Sequence, residues 1–136
     1  LGNAGDNLLQ GMKGADKLIG GAGDDTLNGG TGADRFVFDS LDGTDMLQDF
    51  SRQQGDRLVF DDEIFAGLGV AGSTVSAAAF VSGAGLTAGQ DADDRLVLDT
   101  MAGDLYYDAD GNGVEDAVLV AHLGNATLGL FDCVVG

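Results

Sequence analysis

The chain has 136 residues, 44% of them hydrophobic, which suffices for one domain with a modest core. Its 23 acidic residues against six basic ones give a formal net charge of −17, which repels nucleic acid and anionic lipid and opposes compaction unless cations bind. The 24 glycines, the lack of proline and the predominance of aspartate among the acids favour tight turns, where hard carboxylate oxygens suit Ca²⁺.

Four consecutive nine-residue units fill residues 2–37. Glycine occupies positions 1 and 4 of every unit, and position 6 is aspartate in three units but Asn7 in the first. Position 8 is always large and apolar, as Leu9, Leu18, Leu27 and Phe36. A three-residue run whose middle residue is apolar predicts a very short strand with one buried face, and the six residues before it predict a loop.

The spacing of these units predicts a metal-binding mechanism. If each unit is a loop and a strand, two units make one coil, and like loops stack every eighteen residues at the roughly 4.8 Å spacing between strands. Asn7 then lies over Asp25, and Asp16 lies over Asp34. A divalent cation removes the repulsion between such carboxylates, and loop carbonyls complete calcium coordination at about 2.3–2.6 Å. We therefore expect structural calcium whose binding energy is largely folding energy.

The units resemble those of the repeats-in-toxin (RTX) family, whose pattern is Gly-Gly-x-Gly-x-Asp-x-(apolar)-x. The resemblance implies a right-handed parallel β-roll with at least two Ca²⁺ sites in its turns. One site would join Met12, Gly14 and Asp16 to Gly29, Thr31 and Asp34, and a second would join Asn3, Gly5 and Asn7 to Gly20, Ala22 and Asp25. The glycines that would face the next coil are Gly21, Gly23, Gly30 and Gly32.

The first two units depart from the family pattern. Asn3 and Met12 replace glycine at position 2, and Asn7 replaces aspartate at position 6. Because an amide carries one charge fewer than a carboxylate, we expect the site that contains Asn7 to bind calcium more weakly.

Two segments, residues 45–50 and 55–60, alternate apolar and polar side chains, as strands do. They resemble the stretch that ends the roll in serralysin-type C-terminal domains, where the first aspartate can ligate the last calcium. Asp45 is therefore a candidate ligand, with turn capping as the alternative, and for the weaker candidate Asp49 turn capping is favoured. Residues 66–92 predict a loop with at most one short helix around Ser76–Val81.

From Arg95 the sequence predicts a hairpin, then a strand over residues 117–123 and a last strand near Leu130–Val135. This region is similar to the tails of RTX proteins exported by type I secretion. The loop over residues 108–113 matches part of an EF-hand, but the twelfth position is Leu119 instead of glutamate. A polar hairpin turn is favoured there, and a weak extra calcium site is the alternative, with ligands Asp108, Asp110 and Asn112.

The sequence contains no catalytic constellation. His122 is the sole histidine and lies in an apolar strand pattern, without a companion at metal or nucleophile spacing. Cys133 is the sole cysteine and has no basic neighbour to lower its pKa, so a buried thiol is favoured over a nucleophile. Because the chain begins at Leu1 without methionine, we expect a fragment whose catalytic activity, if any, lies in an upstream domain.

We expect an all-β chain in two parts. Residues 1–60 form the calcium-binding β-roll and its closing strands, and residues 61–136 form a C-terminal β-sandwich-like, antiparallel region with a type I secretion tail. The resemblance implies a bacterial protein secreted to the extracellular space. Its partners would be calcium ions and the type I secretion machinery, without nucleic acid or a membrane span.

The main function expected from the resemblance is a module that stays unfolded in low cellular calcium and folds outside the cell, supporting export of a larger RTX protein. One alternative is a polysaccharide-binding accessory module, like the repeat modules attached to alginate epimerases. It would need a polar or basic groove, with Lys13, Lys17 and Arg35 among the few available bases. Another alternative is the C-terminal roll of a serralysin-type metalloprotease.

Overall fold

The computed structural model describes residues 2–111, 117–124 and 128–136, and the chain is almost entirely β there. The strands are β1 (Leu8–Gln10), β2 (Lys17–Ile19), β3 (Thr26–Asn28), β4 (Arg35–Phe38), β5 (Asp45–Leu47), β6 (Arg57–Phe60), β7 (Phe80–Gly83), β8 (Leu96–Asp99), β9 (Asp104–Tyr107), β10 (Val118–His122) and β11 (Cys133–Val135). Short 3₁₀ helices cover Ala77–Ala79 and Leu130–Asp132. Within these ranges no helix has the length and apolarity needed to cross a membrane.

The strands of the repeats alternate between two sheets. The first sheet has the order β1-β3-β5-β10-β9-β8-β7, and the second has the order β11-β6-β4-β2. β1 pairs in parallel with β3, with Leu8 opposite Thr26, and β2 pairs in parallel with β4, with Lys17 opposite Arg35. Like strands therefore stack eighteen residues apart, and the predicted parallel β-roll is confirmed.

The next coil is longer but keeps the same stacking. Thr26 lies opposite Met46, twenty residues along the chain, and Arg35 lies opposite Arg57, twenty-two residues along. The predicted strands over 45–50 and 55–60 are β5 and β6, and both continue the roll in parallel. The extra residues lie in the loops, where added length costs little.

The C-terminal region completes the roll. β10 pairs in parallel with β5, and β11 pairs in parallel with β6, so the two strands form a further coil. The predicted hairpin is confirmed, because β8 and β9 pair antiparallel and β9 pairs antiparallel with β10. β7 to β9 extend the first sheet, whereas only β11 extends the second. A C-terminal sandwich and a division at residue 60 stay predictions.

Backbone and ionic contacts hold the last coil in place. The outer edge of β11 is covered by residues 72–75, through hydrogen bonds from Gly72 N to the Val135 carbonyl (2.7 Å) and from Val75 N to the Cys133 carbonyl (2.9 Å). The buried carboxylate of Asp132 lies 3.2 Å from Arg52 Nε and 3.6 Å from Arg57. An edge covered in this way offers no template for further strand pairing.

The core lies between the two sheets. The position-8 side chains Leu18, Leu27 and Phe36 are buried, as the repeat pattern predicted. Aromatic contacts then run from the roll into the C-terminal region, with centroid distances of 5.2 Å for Phe38–Phe60, 5.2 Å for Phe60–Phe65 and 5.1 Å for Phe65–Tyr107. One continuous core therefore joins the two parts of the chain.

A pair of loop glycines tests the stacking of coils. Gly14 and Gly32 both have positive φ, 107° and 124°, so alanine is strained at either position. A Cβ on Gly32 would also lie 2.7 Å from the carbonyl carbon of Gly14, whereas a Cβ on Gly14 would meet nothing within 4 Å. We expect Gly32→Ala to lower the free energy of unfolding by about 1–3 kcal/mol more than Gly14→Ala. Urea unfolding in saturating calcium measures both, and equal losses would contradict the stacking.

Candidate metal centre in the stacked loops

The loops of the roll form two rows, one along each edge. The A edge consists of residues 2–7, 20–25 and 39–45, and the B edge consists of residues 11–16, 29–34 and 48–56. On the B edge, Thr31 N donates to the Met12 carbonyl and Gly14 N donates to the Thr31 carbonyl, both at 2.8 Å. Two of the predicted carbonyl ligands, those of Met12 and Thr31, thus already link neighbouring loops.

The position-6 side chains form a ladder on each edge. On the B edge, Asp34 Oδ1 accepts from Asp16 N, and Asp56 Oδ1 accepts from Asp34 N, each at 2.9 Å. On the A edge, Asp25 Oδ1 accepts from Asn7 N at 2.8 Å, and Asp45 Oδ1 accepts from Asp25 N at 3.1 Å. The stacking predicted for Asn7 with Asp25 and for Asp16 with Asp34 is therefore observed.

Asp56 belongs to this ladder, but sequence reasoning missed it as a site residue. A signal was present, since Asp56-Arg57-Leu58 repeats the Asp-x-apolar order of positions 6 to 8. The longer loop before it hid the register. Asp56 Oδ2 accepts from Ser51 N at 2.8 Å, so both of its oxygens are hydrogen-bonded and it closes the ladder.

The second oxygen of three ladder aspartates has no hydrogen-bond partner. These atoms are Oδ2 of Asp16, Asp25 and Asp34, and all three are buried. Asp25 is 1% exposed and Asp34 is 0% exposed. Because buried polar atoms in native proteins are almost always paired, a buried carboxylate oxygen without a donor indicates a missing positive partner.

The position-1 glycines shape the space beside these oxygens. A Cβ on Gly11 would lie 2.7 Å from Asp16 Oδ2 and 2.6 Å from the Gly29 carbonyl oxygen. On the A edge, a Cβ on Gly2 would overlap both the Gly20 carbonyl and Asn7 Oδ1. At each place, a position-6 side chain and a carbonyl of the loop one coil later point toward the same space, which is open only because position 1 has no side chain.

This donor set fits a hard cation. No cluster of three or more His, Cys, Asp and Glu side chains with metal-binding geometry occurs within the described ranges. An ion in these loops therefore takes its ligands from few carboxylates and several carbonyls. Oxygen-only coordination of that kind suits Ca²⁺ and is poor for the softer transition metals. The individual ligand assignments stay predictions.

Four loop glycines were expected to face the next coil, and in the structure their Cα atoms lie close to the backbone of the preceding coil. They are Gly21, Gly23, Gly30 and Gly32. A Cβ on Gly21 would lie 3.0 Å from the Asn3 carbonyl oxygen, and one on Gly23 would lie 2.9 Å from that of Gly5. Gly30 and Gly32 face Met12 and Gly14 in the same way. Glycine is needed there because the coils approach so closely, and a ligand role for these residues toward the next coil stays a prediction.

The first loop satisfies itself without a cation. Asn7 Oδ1 accepts from Asn3 N at 2.7 Å, and Asn7 Nδ2 donates to Asn3 Oδ1 at 3.1 Å. Asn3 Oδ1 also accepts from Gly5 N at 2.9 Å. An amide supplies both a donor and an acceptor, so this loop closes by hydrogen bonds where the aspartate loops keep an unpaired oxygen.

The two candidates beyond the repeats differ in their surroundings. Asp49 accepts from Gly29 N (2.8 Å) and from Gly30 N (2.7 Å), so both of its oxygens cap the neighbouring loop. Asp45 is buried in the ladder, and desolvation, followed by the charges of Asp25 and Asp24, raises its pKa to about 7. Desolvation also raises the pKa of Asp25 and of Asp56. Such shifts are expected where carboxylates lack a nearby positive charge.

A second cluster of loops lies in the C-terminal region. Asp94 Oδ2 accepts from Gln90 N at 2.7 Å, and Asp108 Oδ2 accepts from Gly89 N at 2.9 Å. A Cβ on Gly89 would overlap the Gly111 carbonyl, as a Cβ on Gly2 would overlap that of Gly20. Gly89, Asp94 and Leu96 have the spacing of positions 1, 6 and 8, which sequence reasoning missed because position 4 is Ala92.

The loop over residues 108–113 is described only as far as Gly111, so the polar hairpin turn favoured there stays a prediction. Asp108 is buried, and its Oδ1 lies 3.4 Å from Asp110 N. Asn112 falls outside the described residues. Calcium binding by Asp108 and Asp110 stays a prediction.

His122 and Cys133 occupy strand positions. His122 Nδ1 lies 2.5 Å from Asp104 Oδ1, its partner on the neighbouring strand. Cys133 is buried opposite Leu58, and desolvation raises the pKa of its thiol to about 12. The thiol is therefore protonated at neutral pH, which opposes a nucleophilic role.

The comparison with known families agrees with this geometry. The family model for the RTX calcium-binding nonapeptide repeat matches residues 1–36 in four copies. No curated protein matches the chain. RTX nonapeptide repeats bind calcium, and the matched residues form the stacked loops with unpaired carboxylate oxygens. Residues 1–36 therefore carry RTX-type calcium-binding nonapeptide repeats, and they lie in a parallel β-roll.

Proposed function

We propose that this chain is a calcium-triggered folding module of a larger secreted RTX protein. In low cellular calcium the acidic chain stays unfolded and can be threaded through an exporter. In extracellular calcium the repeats bind the ion and the roll forms. The C-terminal region carries the uncleaved signal for type I secretion.

The observation that carries the proposal is the set of buried carboxylate oxygens without partners at Asp16, Asp25 and Asp34. Burying an unpaired charge costs several kcal/mol, roughly comparable with the whole stability of a small domain. Three such groups in a chain of charge −17 disfavour the folded roll until cations bind. Sites of extracellular type bind Ca²⁺ with dissociation constants on the order of 10⁻⁴–10⁻³ M, so external calcium can drive folding and cellular calcium cannot.

Calcium removal tests the folding step. At a calcium concentration 100 times the dissociation constant, each site adds roughly 2.7 kcal/mol to the free energy of unfolding. We therefore expect excess chelator to abolish most of the β circular dichroism signal. The Cys133 thiol should also become reactive, because it is buried in the folded roll. An unchanged melting temperature and a protected thiol, after dialysis long enough to release slowly bound calcium, would refute calcium-linked folding.

Single ligand changes test the aspartate ladders. Asp16→Ala removes an unpaired carboxylate from a loop that offers two carboxylates to one cation, Asp16 and Asp34. Asn7→Ala removes an amide that its own loop already satisfies, in the outermost described coil, where fraying costs little. We expect the larger rise in the calcium midpoint of folding for Asp16→Ala. Equal midpoints, or a larger rise for Asn7→Ala, would show that the pairing of loops is wrong.

The pH dependence of folding should reverse between calcium-free and calcium-loaded protein. The pKa of Asp45 is about 7 in the folded state, against an ordinary value of 3.8. Its contribution to calcium-free stability is therefore complete below about pH 4 and lost as pH rises through about 7. In chelator we expect the folded fraction to grow as pH falls from 8 to about 5. In limiting calcium, protons compete with the ion for the carboxylates. The calcium midpoint of folding should therefore rise as pH falls from 8 to about 5.

A matched pair of variants separates the titration of Asp45 from the effect of removing one negative charge anywhere on the chain. Asp45→Asn should flatten the calcium-free pH profile between about pH 4 and 7, because it removes the titrating group. Asp62→Asn changes the net charge equally at an exposed position and should leave the profile unchanged. Unfolding monitored by circular dichroism in chelator distinguishes them, and parallel profiles for the two variants would count against a buried Asp45.

Export is tested separately from folding. Co-expression of the chain with a type I exporter should release it into the medium, whereas deletion of residues 128–136 should retain it in the cell. Asp16→Ala should still be exported, because cytoplasmic threading needs the unfolded state, and should then fold poorly outside. Retention of the full chain, or export of the truncated one, would remove the secretion role and leave calcium-linked folding intact.

A further inference from the structure

The two edges of the roll expose opposite charges. Five of the six basic residues of the chain lie on the B edge or start the strand that follows one of its loops, and they are Lys13, Lys17, Arg35, Arg52 and Arg57. The B-edge carboxylates are buried or half-buried, and they are Asp16, Asp34, Asp49 and Asp56. The A edge has no basic residue, and its exposed acids are Asp6, Asp24, Asp39 and Asp42. The roll is therefore polarised across its width.

Three of the bases form a ladder in register. Lys17 lies opposite Arg35, and Arg35 lies opposite Arg57, on the outer face of the second sheet. Like charges directly opposite on neighbouring strands destabilise a sheet. Arg57 is compensated by Asp132, but within the described ranges Lys17 and Arg35 form no ion pair. Lys17 and Arg35 thus lack a counter-charge within the described part of the fold, and an acidic partner would supply one.

A groove beside the ladder fits a narrow acidic ridge. It has a volume of about 560 Å³ and is lined by the ladder, by the small position-5 residues Ala15, Ala33 and Gly55, and by Asp16. On the A edge, position 5 carries Asp6 and Asp24 instead, both exposed. Each of these two carboxylates accepts from a backbone N–H of the next coil through one oxygen and leaves the other oxygen available to a cationic partner.

We propose that a second copy of this chain fills the groove, its A edge docked on the B edge of the first. The coils set the spacing along both edges, so sideways translation brings Asp6 to Lys17 and Asp24 to Arg35 in one step. The contact is heterologous, because each copy uses a different edge, and it leaves a free edge at each end. Calcium-loaded rolls therefore associate into open rows.

The net charge of the chain favours a second copy over a membrane or a nucleic acid as the partner. A membrane or a nucleic acid would bring a wide anionic surface against a chain of charge −17, most of which repels it. A ridge of acids touches only the B edge and leaves the other acids distant. Self-repulsion still opposes association and bound calcium reduces it, so the rows are weak, need the folded roll and dissolve in salt.

Sedimentation velocity in excess calcium tests the proposal on the whole chain. At low ionic strength the weight-average mass should rise with protein concentration. At about 1 M NaCl, where the screening length is about 3 Å, the chain should be monomeric. Circular dichroism on the same samples establishes that the roll is folded, which separates this test from a failure of calcium-linked folding. A folded chain that stays monomeric at low salt overturns the proposal.

Matched variants locate the contact. Lys17→Gln with Arg35→Gln lowers the net charge by two and should weaken association about tenfold. Thr26→Glu with Met46→Glu lowers it equally at the corresponding strand positions of the first sheet and should weaken association much less. Similar weakening by both pairs would mean that net charge alone governs association.

Mixing experiments test the edge-to-edge geometry. A chain with Lys17→Glu and Arg35→Glu has the charge of its B edge reversed, and a chain with Asp6→Lys and Asp24→Lys has the charge of its A edge reversed. Each should be monomeric alone, whereas the mixture should associate into alternating rows, because the unaltered edges attract each other and the two reversed edges again carry opposite charges. Monomers in the mixture, with both variants folded, overturn the geometry. A monomeric wild-type chain that binds polygalacturonate through Lys17 and Arg35 would instead assign the groove to an acidic polysaccharide.

Discussion

The repulsion between carboxylates stacked at the strand spacing is the constraint on which the rest of this structure depends. Parallel coils place like residues one strand apart, so an aspartate at position 6 must lie beside the aspartate of the next coil. In Asp25 and Asp34, one oxygen accepts from a backbone N–H of the neighbouring coil, and the other is buried without a donor. A bound cation removes this repulsion and joins the two loops, because both loops supply it with oxygen ligands. The spacing of the loops thus sets the distance between the carboxylates and, with it, the need for a cation.

Much of the roll can be predicted from residues 2–37 because its information is local and repeated. Position 8 predicts the buried face, and the nine-residue period predicts which strands become neighbours, as Leu18 opposite Phe36 confirms. The place of Asp56 was hidden because its coil is four residues longer than those of the repeats, so Asp56 follows Asp34 by twenty-two residues instead of eighteen. A repeat pattern predicts register only while the period holds, whereas hydrogen bonding in the fold tolerates longer loops.

The closing coil could not be predicted in the same way. β10 joins β5 across more than seventy residues, and β11 joins β6 across a similar separation. No sequence period marks these pairings, which instead follow from the need to cover two parallel edges with apolar strands. The hairpin between β8 and β9 was predictable because its strands are adjacent in sequence and joined by a short turn. Distance along the chain, more than strand propensity, separates the predicted part of the fold from the rest.

The two edges of the roll show how a short repeat can encode two surfaces. Alternate units feed opposite edges, so any difference between odd and even units becomes a difference between edges. Position 5 is Asp6 and Asp24 in one set of units and alanine in the other, while position 7 is Lys17 and Arg35 only in the second set. Metal binding needs the glycines, the aspartates and the apolar positions, which leaves positions 5 and 7 free to carry surface charge. Positions 5 and 7 therefore alternate with a period of eighteen residues within a nine-residue repeat. This alternation determines the surface charge of the roll, whereas the other positions determine its fold.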